Sequence, residues 1–208
     1  MKYLAAFLLV LSIPLASPAA KLLNGNLDNW EVIGDGIWIV LRDGTLVGQR
    51  DLKKAENQAW LYTRKNDYAE FDLHLEWWTR VGGNSGVSIR DTSRAQFAVA
   101  GAFDAKRTPA HMGYEIQILN GFTDKFPSGS VYLFDAAKPG HQVENDWNTL
   151  DIESRDDMIR VKLNGSPVSQ YAGEPGRPKT GPIGLQLHDK TSFVMFRNIH
   201  IKEIRPRK

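Results

Sequence analysis

Cysteine is absent from all 208 residues of this chain, so disulfide bonds and thiolate chemistry contribute neither to its fold nor to its function. Structural zinc sites that depend on cysteine ligands are excluded for the same reason. Stability must therefore come from a hydrophobic core, and a chain of this length is sufficient for one sizeable domain.

A strong excess of charge is also lacking, because 26 Lys and Arg residues stand against 24 Asp and Glu residues. Loss of Lys2 with the leader described below would leave 25 basic and 24 acidic residues, a net charge of +1. A nearly neutral chain argues against nucleic acid or an anionic membrane as partner. We therefore predict no nucleic-acid and no membrane partner, and the sequence leaves the oligomeric state open.

Long apolar runs are missing apart from residues 4–15, which follow a short basic start at Lys2. This run is shorter than the roughly 20 apolar residues that a membrane-spanning helix needs. The small residues Ser17-Pro18-Ala19 complete the pattern of a secretory signal peptide. We predict a signal peptide over residues 1–20, a single domain over residues 21–208, and export to the bacterial periplasm or beyond it.

Long helical patterns are scarce as well, and about a dozen short alternating stretches follow the leader instead. The Asn164-Gly165 pair is the clearest hairpin signal, because a type I′ turn needs positive φ at both central positions. This pattern predicts an all-β sandwich or barrel. Residues 91–113 and 120–146 are rich in Gly, Pro, Asp and Lys, and we predict them to be loops around one mouth of the sandwich.

Four of the alternating stretches carry hydrogen-bonding side chains at their polar positions. These side chains are Asp72, His74 and Glu76, then Ser88 and Arg90, then Glu115 and Gln117, and finally Gln186 and His188. A solvated sheet face also alternates, but Glu, Arg, His and Gln are the residue types that converge on polar ligands. If the four strands share one sheet, their polar face would bind a small, polyhydroxylated carbohydrate.

Signatures of metal and serine-nucleophile sites are not found. The five histidines lack a paired spacing such as His-Glu-x-x-His, so we predict no metal site and no cofactor. A divalent cation held by carboxylates near Asp72, Glu76 or Glu115 is compatible with the sequence, but nothing in the sequence indicates it.

Paired carboxylates, the usual machinery of glycoside hydrolysis, are also incomplete. The stretch from Glu115 to Asn120 resembles the Glu-x-Asp-x-x-Glu strand of laminarinase-type sandwich enzymes, but Gln117 and Asn120 replace the second and third acids. An ordinary double displacement would have to recruit Glu76 from another strand. A conventional glycoside hydrolase is therefore one alternative interpretation.

Ordered motifs along the whole mature chain resemble one known family. They include Gly82-Gly83-Asn84-Ser85-Gly86-Val87, Gly113-Tyr114-Glu115-Ile116-Gln117-Ile118-Leu119, Gly181-Pro182-Ile183-Gly184-Leu185-Gln186-Leu187-His188 and Phe196-Arg197-Asn198-Ile199. Together they resemble the 3-keto-disaccharide hydrolase family, although members commonly carry His-Gly where this chain has His188 and Asp189. The resemblance implies a concanavalin A-like jelly-roll β-sandwich of two antiparallel sheets, with long loops at the concave face.

The resemblance also implies a reaction that needs no second carboxylate. A ketone at C3 of a sugar acidifies the C2 proton, so one base can open the glycosidic bond by elimination, and water adds afterwards. His188 would be the base, while Glu115 would orient it or protonate the leaving oxygen; exchange of these two roles fits the sequence equally well. Arg90, helped by Gln117, would stabilise the enolate oxygen.

The predicted catalytic residues are therefore Glu115, His188 and Arg90. The predicted substrate-binding residues are Glu76, Gln117, Trp78, Ser88 and Gln186, with Trp78 included because an aromatic ring on the polar face can stack on a sugar. A non-catalytic, lectin-like carbohydrate-binding module is the alternative from a different functional class, because the fold alone does not choose a function.

Overall fold

Antiparallel strands make up nearly all of the regular structure. The computed structural model describes residues 18–53, 57–121 and 125–204, and within these ranges it has thirteen strands and one four-residue helix, α1 (Pro109–Met112). The strands are β1 (Ala20–Lys21), β2 (Trp30–Ile33), β3 (Gly36–Val40), β4 (Leu46–Arg50), β5 (Ala59–Thr63), β6 (Phe71–Thr79), β7 (Asn84–Ile89), β8 (Tyr114–Leu119), β9 (Asn148–Arg155), β10 (Met158–Leu163), β11 (Ser166–Tyr171), β12 (Ile183–Leu187) and β13 (Phe193–Glu203). Residues 1–17 of the predicted signal peptide lie outside the described residues. Within those ranges, no helix has the length and apolar character that crossing a bilayer requires.

The described strands form two antiparallel sheets that pack face to face. Sheet A has the order β11-β10-β9-β6-β13-β4-β3, with β1 paired to β13. Sheet B has the order β2-β5-β12-β7-β8. Apolar residues from both sheets meet in one core between them. The predicted fold class, an all-β jelly-roll sandwich of two antiparallel sheets, is confirmed.

Local sequence signals explain how the strands are delimited. Asn164 and Gly165 have φ values of 50° and 78° and connect β10 to β11, as the hairpin signal predicts. In β6, Phe71, Leu73 and the following alternate residues are buried while the residues between them are partly exposed. This alternation places one face of β6 in the core and leaves the other face accessible.

The outer faces of the two sheets differ in their environment. Along β6 and β9 of sheet A, buried and partly exposed residues alternate, so that face is open to solvent. Every residue of β5, β8 and β12 in sheet B is buried, so both faces of that sheet are covered. The polar side chains on the outer face of sheet B are therefore enclosed by protein.

The two predicted loops supply this cover. From residues 91–113, Ala95 and Ala98 pack against Trp60 and Tyr62 of β5, and the Ala98 carbonyl accepts a hydrogen bond from the Gln58 backbone N–H. A second segment, residues 128–135, lies along the free edge of β8. There, the backbone N–H of Gln117 donates to the Ser130 carbonyl at 3.0 Å, and the Tyr132 N–H donates to the Glu115 carbonyl at 2.8 Å.

Candidate active site

A cavity of about 270 Å³ lies between the outer face of sheet B and the two covering segments. Strands β7 and β8 contribute Asn84, Glu115 and Gln117 to its lining, and the residue that follows β12 contributes His188. The surrounding segments contribute Gln58, Phe103, Ala105, Thr108, His111, Tyr132 and Leu133. Its volume is near the lower end of the range for ligand pockets, about 300–1,000 Å³. The cavity therefore has the size and the polar lining expected for a ligand built around one sugar ring.

Strand alternation brings three of the predicted site residues to this cavity. Ile116 and Leu187 point into the core between the sheets. Their neighbours on the opposite face, Glu115 and Gln117 from β8 and His188 just after β12, consequently line the cavity. The structure therefore brings Glu115, Gln117 and His188, but not Arg90, to one cavity.

The side chain of Glu115 lies across the neighbouring strand β7 above Gly86. A Cβ atom at residue 86 would lie only 2.7 Å from Glu115 Oε1 and 3.0 Å from its Cγ. Any larger residue would displace the carboxyl group, so glycine here makes room for the acid. The Gly82–Val87 motif thus has a specific physical role in placing Glu115.

Burial raises the pKa of Glu115 to about 8, because a carboxylate loses its hydration in this enclosed position. The residue is only 4% exposed. The nearby Gln186 amide opposes the shift in pKa, and the negative charge of Asp91 adds to it. At neutral pH the Glu115 carboxyl is therefore mostly protonated and can donate a proton.

A buried hydrogen-bond network supports this region behind the cavity. The carboxylate of Asp91 accepts hydrogen bonds from the Tyr62 hydroxyl at 2.9 Å and from the backbone N–H groups of Ser93 and Ala95 at 2.9 and 2.8 Å. The Tyr62 hydroxyl also lies 3.0 Å from Ser88 Oγ. Ser88, predicted to bind substrate, is completely buried in this network, and the structure does not bring it to the cavity.

His188 lines the cavity and is exposed to solvent on its outer side. The protein around the ring removes part of its hydration and lowers its pKa below the ordinary value of 6.5; the negative charge of Asp189 opposes this shift, and the positive charge of Arg50 adds to it. Arg50 is held behind the strand by the Leu187 carbonyl at 3.3 Å and by Asp35 at 2.8 Å. The His188 imidazole is therefore neutral at pH 7 and can accept a proton.

A second histidine, His111, lines the cavity from α1, and sequence reasoning missed it. Its Nδ1 lies 2.9 Å from Thr108 Oγ1, and the N-cap residue Thr108 makes no side-chain capping bond. Burial lowers the pKa of His111, with a further contribution from the charge of Arg177. The Thr108-Pro109 pair is typical of the start of a helix, so the short helix could be predicted from the sequence. No periodic pattern in the sequence indicates that His111 lines a cavity.

An unpaired amide atom lies at the cavity floor. Oδ1 of Asn84 is buried and has no hydrogen-bond partner in the part of the chain that the structure describes, whereas the buried Gln186 amide interacts with the Glu115 carboxyl. Each such group costs about 1–3 kcal/mol when it stays unpaired, and most proteins avoid them. Gln186 lies beside Glu115 without reaching the cavity lining, whereas Asn84 is placed to bind a polar ligand directly.

The structure does not bring the predicted substrate-binding residues Glu76 and Trp78 to this cavity, because their strand, β6, lies in sheet A. Both side chains lie on the open outer face of that sheet. Glu76 accepts a hydrogen bond from Arg197 Nε at 2.7 Å, and Trp78 packs edge-to-face against Phe193 with ring centroids 6.2 Å apart. A double displacement that recruits Glu76 as partner of Glu115 is therefore excluded by the topology.

The structure also does not bring Arg90, a predicted catalytic residue, to this cavity. Arg90 follows β7 with a φ of 60°, and this left-handed conformation ends the regular alternation of the strand. Its Nη2 donates to Ser154 Oγ and to the Asp156 carbonyl, each at 2.7 Å, on the side of sheet A. Its guanidinium therefore links the two sheets, and its pKa is lowered by burial.

Glu115 is the one carboxylate among the cavity-lining residues that the structure describes. Asn120, which replaces the second acid of the laminarinase-type strand, donates from Nδ2 to the Thr79 carbonyl at 2.7 Å and has a structural role. Within residues 18–53, 57–121 and 125–204, no three His, Asp or Glu side chains are grouped closely enough to hold a metal ion.

Comparison with solved structures gives the same fold and a carbohydrate-related set of neighbours. A candidate glycosyl hydrolase from Parabacteroides distasonis is 25% identical, with a TM-score of 0.70 over 90% of this chain and 100% of its own. A galectin-like protein of unknown function from Bacillus subtilis is 13% identical, with a TM-score of 0.62 over 91% of this chain and 97% of its own. The carbohydrate-binding module CBM66 from Bacillus subtilis is 14% identical, with a TM-score of 0.52 over 86% of this chain and 98% of its own.

Family membership follows from a match that covers most of the sequence. No curated protein sequence matches the chain significantly. The model of the 3-keto-alpha-glucoside-1,2-lyase-like domain matches residues 18–202, which include all of the described strands apart from the last residue of β13. The predicted resemblance is thereby confirmed, and the chain belongs to the 3-keto-alpha-glucoside-1,2-lyase-like domain family.

Proposed function

We propose that this protein cleaves 3-keto glycosides by eliminating the group attached to C1. The observation that carries the proposal is that Glu115 and His188 line one cavity with pKa values shifted in opposite directions. Membership of a 3-keto-glucoside lyase-like family and the similarity to a candidate glycosyl hydrolase support a carbohydrate substrate.

The two opposite shifts define an acid and a base at neutral pH. His188, with a pKa below 6.5, is neutral and accepts a proton, whereas Glu115, with a pKa of about 8, still carries one. Environments that move two titratable groups apart in this way are a recurring feature of acid–base catalysis. We therefore assign His188 as the base and Glu115 as the acid.

The elimination follows directly from this assignment. His188 removes the proton from C2, which the neighbouring C3 ketone acidifies, and the electron pair forms a C1=C2 double bond. The C1–O bond breaks, and Glu115 gives its proton to the leaving oxygen, so the products are an enone sugar and a free alcohol. Solvent then returns a proton to Glu115 and takes one from His188, and addition of water across C1=C2 yields the free 3-keto sugar.

Neutral donors take the role that the sequence assigned to Arg90. As C2 loses its proton, negative charge develops on the C3 oxygen, and donors aimed at that oxygen lower the barrier. The amide of Gln117 and the ring of His111 line the cavity and suit this role. If the Thr108 hydroxyl donates to Nδ1 of His111, then Nε2 carries the proton and donates it to the ligand.

The test uses a 3-keto glucoside with deuterium at C2. We expect a primary isotope effect on kcat and loss of the label, and we expect Glu115→Gln and His188→Asn each to lower kcat by about 10²–10⁴-fold. Glu76→Gln is the matched control, because this carboxylate lies on the opposite sheet, and it should retain the wild-type rate.

Two other results would point to other functions. Cleavage of the unoxidised glucoside with the C2 label retained would indicate a conventional glycoside hydrolase. Binding of both forms without turnover would indicate a carbohydrate-binding module.

We also propose that the protein is exported before it acts. The apolar run of residues 4–15 and the small residues that follow it support a cleaved leader. Mass spectrometry of the protein from a bacterial periplasm or culture medium should give a mature form that begins within a residue or two of Ala20. A full-length form retained in the cytoplasm would contradict export.

A further inference from the structure

The mouth of the cavity differs in chemistry from its interior. Phe103 and Leu133 line it and are 48% and 39% exposed, so two apolar side chains from the two covering segments meet solvent there. Glu115 and Gln117, at 4% exposure each, lie in the interior. A ligand that fills the cavity would therefore meet the polar groups Glu115 and Gln117 at its inner end, and the hydrocarbon of Phe103 and Leu133 beside the exposed His188 ring at its outer end.

Leu133 is held in place at some conformational cost. Its φ of 75° lies in the left-handed region, which residues other than Gly, Asn and Asp rarely adopt. It lies in a tight turn closed by Val131, whose backbone N–H donates to the Asp135 carbonyl at 3.0 Å. Residues held in strained backbone conformations cluster at active sites and ligand-binding sites.

The neighbour of Leu133 anchors this turn to the body of the protein. The Phe134 ring packs against Tyr171 and Tyr114, with centroids 4.9 and 5.6 Å apart, and the Arg177 guanidinium lies 4.6 Å from its centre. The turn therefore presents Leu133 at the mouth of the cavity from a fixed position. A rigid apolar surface at this point suits a part of the ligand that is itself apolar.

We infer that Phe103 and Leu133 form a subsite for the leaving group, and that this subsite favours 3-keto glycosides with an apolar aglycone. The inference depends on the proposed function, because it places the oxidised sugar against Glu115 and Gln117 in the interior. The group attached at C1 then extends toward the mouth, where both apolar side chains can cover it. A second sugar, with hydroxyls all round its ring, would gain less from the same contact.

The experiment compares cyclohexyl and methyl 3-keto-glucosides. Their leaving alcohols differ mainly in apolar area, so a difference in kcat/KM reports contact with the subsite. We expect Leu133→Asn to lower kcat/KM for the cyclohexyl substrate by about tenfold and to leave the methyl substrate nearly unchanged. Asparagine tolerates a positive φ, so the turn should be preserved.

Leu41→Asn is the matched control, because Leu41 is 45% exposed but does not line the cavity. This substitution should leave kcat/KM unchanged for both substrates. Equal kcat/KM values for the two substrates, or an equal effect of Leu133→Asn on both, would overturn the subsite while the proposed activity stands.

A binding measurement separates failure of the subsite from failure of the activity. If neither substrate is turned over, the proposed function fails, and titration of the Glu115→Gln variant with the same two compounds still tests the subsite. Tighter binding of the cyclohexyl compound, reduced by Leu133→Asn in the same background, would support it. Equal affinities would overturn it.

Discussion

Replacement of Glu115 by Gln should stabilise the protein at alkaline pH while removing its proposed activity. Gln has nearly the same shape as Glu but never ionises, so the variant avoids the cost of burying a carboxylate. Because the folded state raises the pKa of Glu115, the native protein holds this proton more tightly than the unfolded chain does. The stability of the wild-type protein should therefore fall as pH rises.

The size of this effect follows from the two pKa values. The carboxyl has an ordinary value of 4.5, taken for the unfolded chain, and a folded value of about 8. Each unit of difference corresponds to about 1.4 kcal/mol, so the carboxyl reduces the free energy of unfolding by about 5 kcal/mol across this window. The stabilising contribution of the proton is complete below pH 4.5 and is lost by the time the pH has passed about 8.

Urea unfolding of both proteins at pH 5, 7 and 9 measures this difference. The free energy of unfolding of Glu115→Gln minus that of the wild type should increase at each step, by several kcal/mol in total. Other groups titrate in both proteins and cancel in the difference. A difference that stays constant between pH 5 and pH 9 would refute the claim that burial holds Glu115 in its protonated form.

Three further changes test the geometry of the site and of its support. A plot of kcat/KM against pH should be bell-shaped. The value should fall on the acid side as His188 becomes protonated, and on the alkaline side near pH 8 as Glu115 ionises. Activity that keeps rising above pH 9 would contradict the role of Glu115 as the acid. Gly86→Ala should lower kcat by about 100-fold in a folded protein because it displaces the Glu115 carboxyl, and an unchanged kcat would show that the carboxyl position is not critical. Arg90→Met should lower the free energy of unfolding by roughly 3 kcal/mol in a urea titration, because Arg90 links the two sheets. The KM should stay unchanged, because Arg90 does not line the cavity. A large change in KM would show that Arg90 belongs to the site.

The cavity disfavours the charged form of each lining group whose pKa is shifted, so the pH dependence of stability and turnover tests its chemistry directly. Burial raises the pKa of Glu115 and lowers the pKa values of His111 and His188. All three shifts favour the neutral forms. Such a site suits a reaction in which charge appears only in the transition state and is met there by fixed donors.

The differences between the predicted and the observed site come from three properties that strand patterns do not contain. Glu76 and Glu115 have the same alternation in sequence, but they lie on the outer faces of different sheets. Arg90 continues the alternation of β7 in sequence, but a single left-handed residue redirects its side chain toward Ser154. His111 reaches the cavity from a four-residue helix in a covering segment, and a helix this short has no hydrophobic periodicity in its sequence.

The sequence by itself determined the β class, the Asn164-Gly165 hairpin and the facing of Glu115, Gln117 and His188, because each depends on a two-residue period or a turn preference within a few residues. Tertiary structure decided which strands share a sheet, which face is covered, and hence which carboxyl is desolvated. Those outcomes depend on pairing between residues far apart in the chain, such as β8 with β7 and β6 with β13. Burial then sets the pKa values, and through them the division of roles between acid and base.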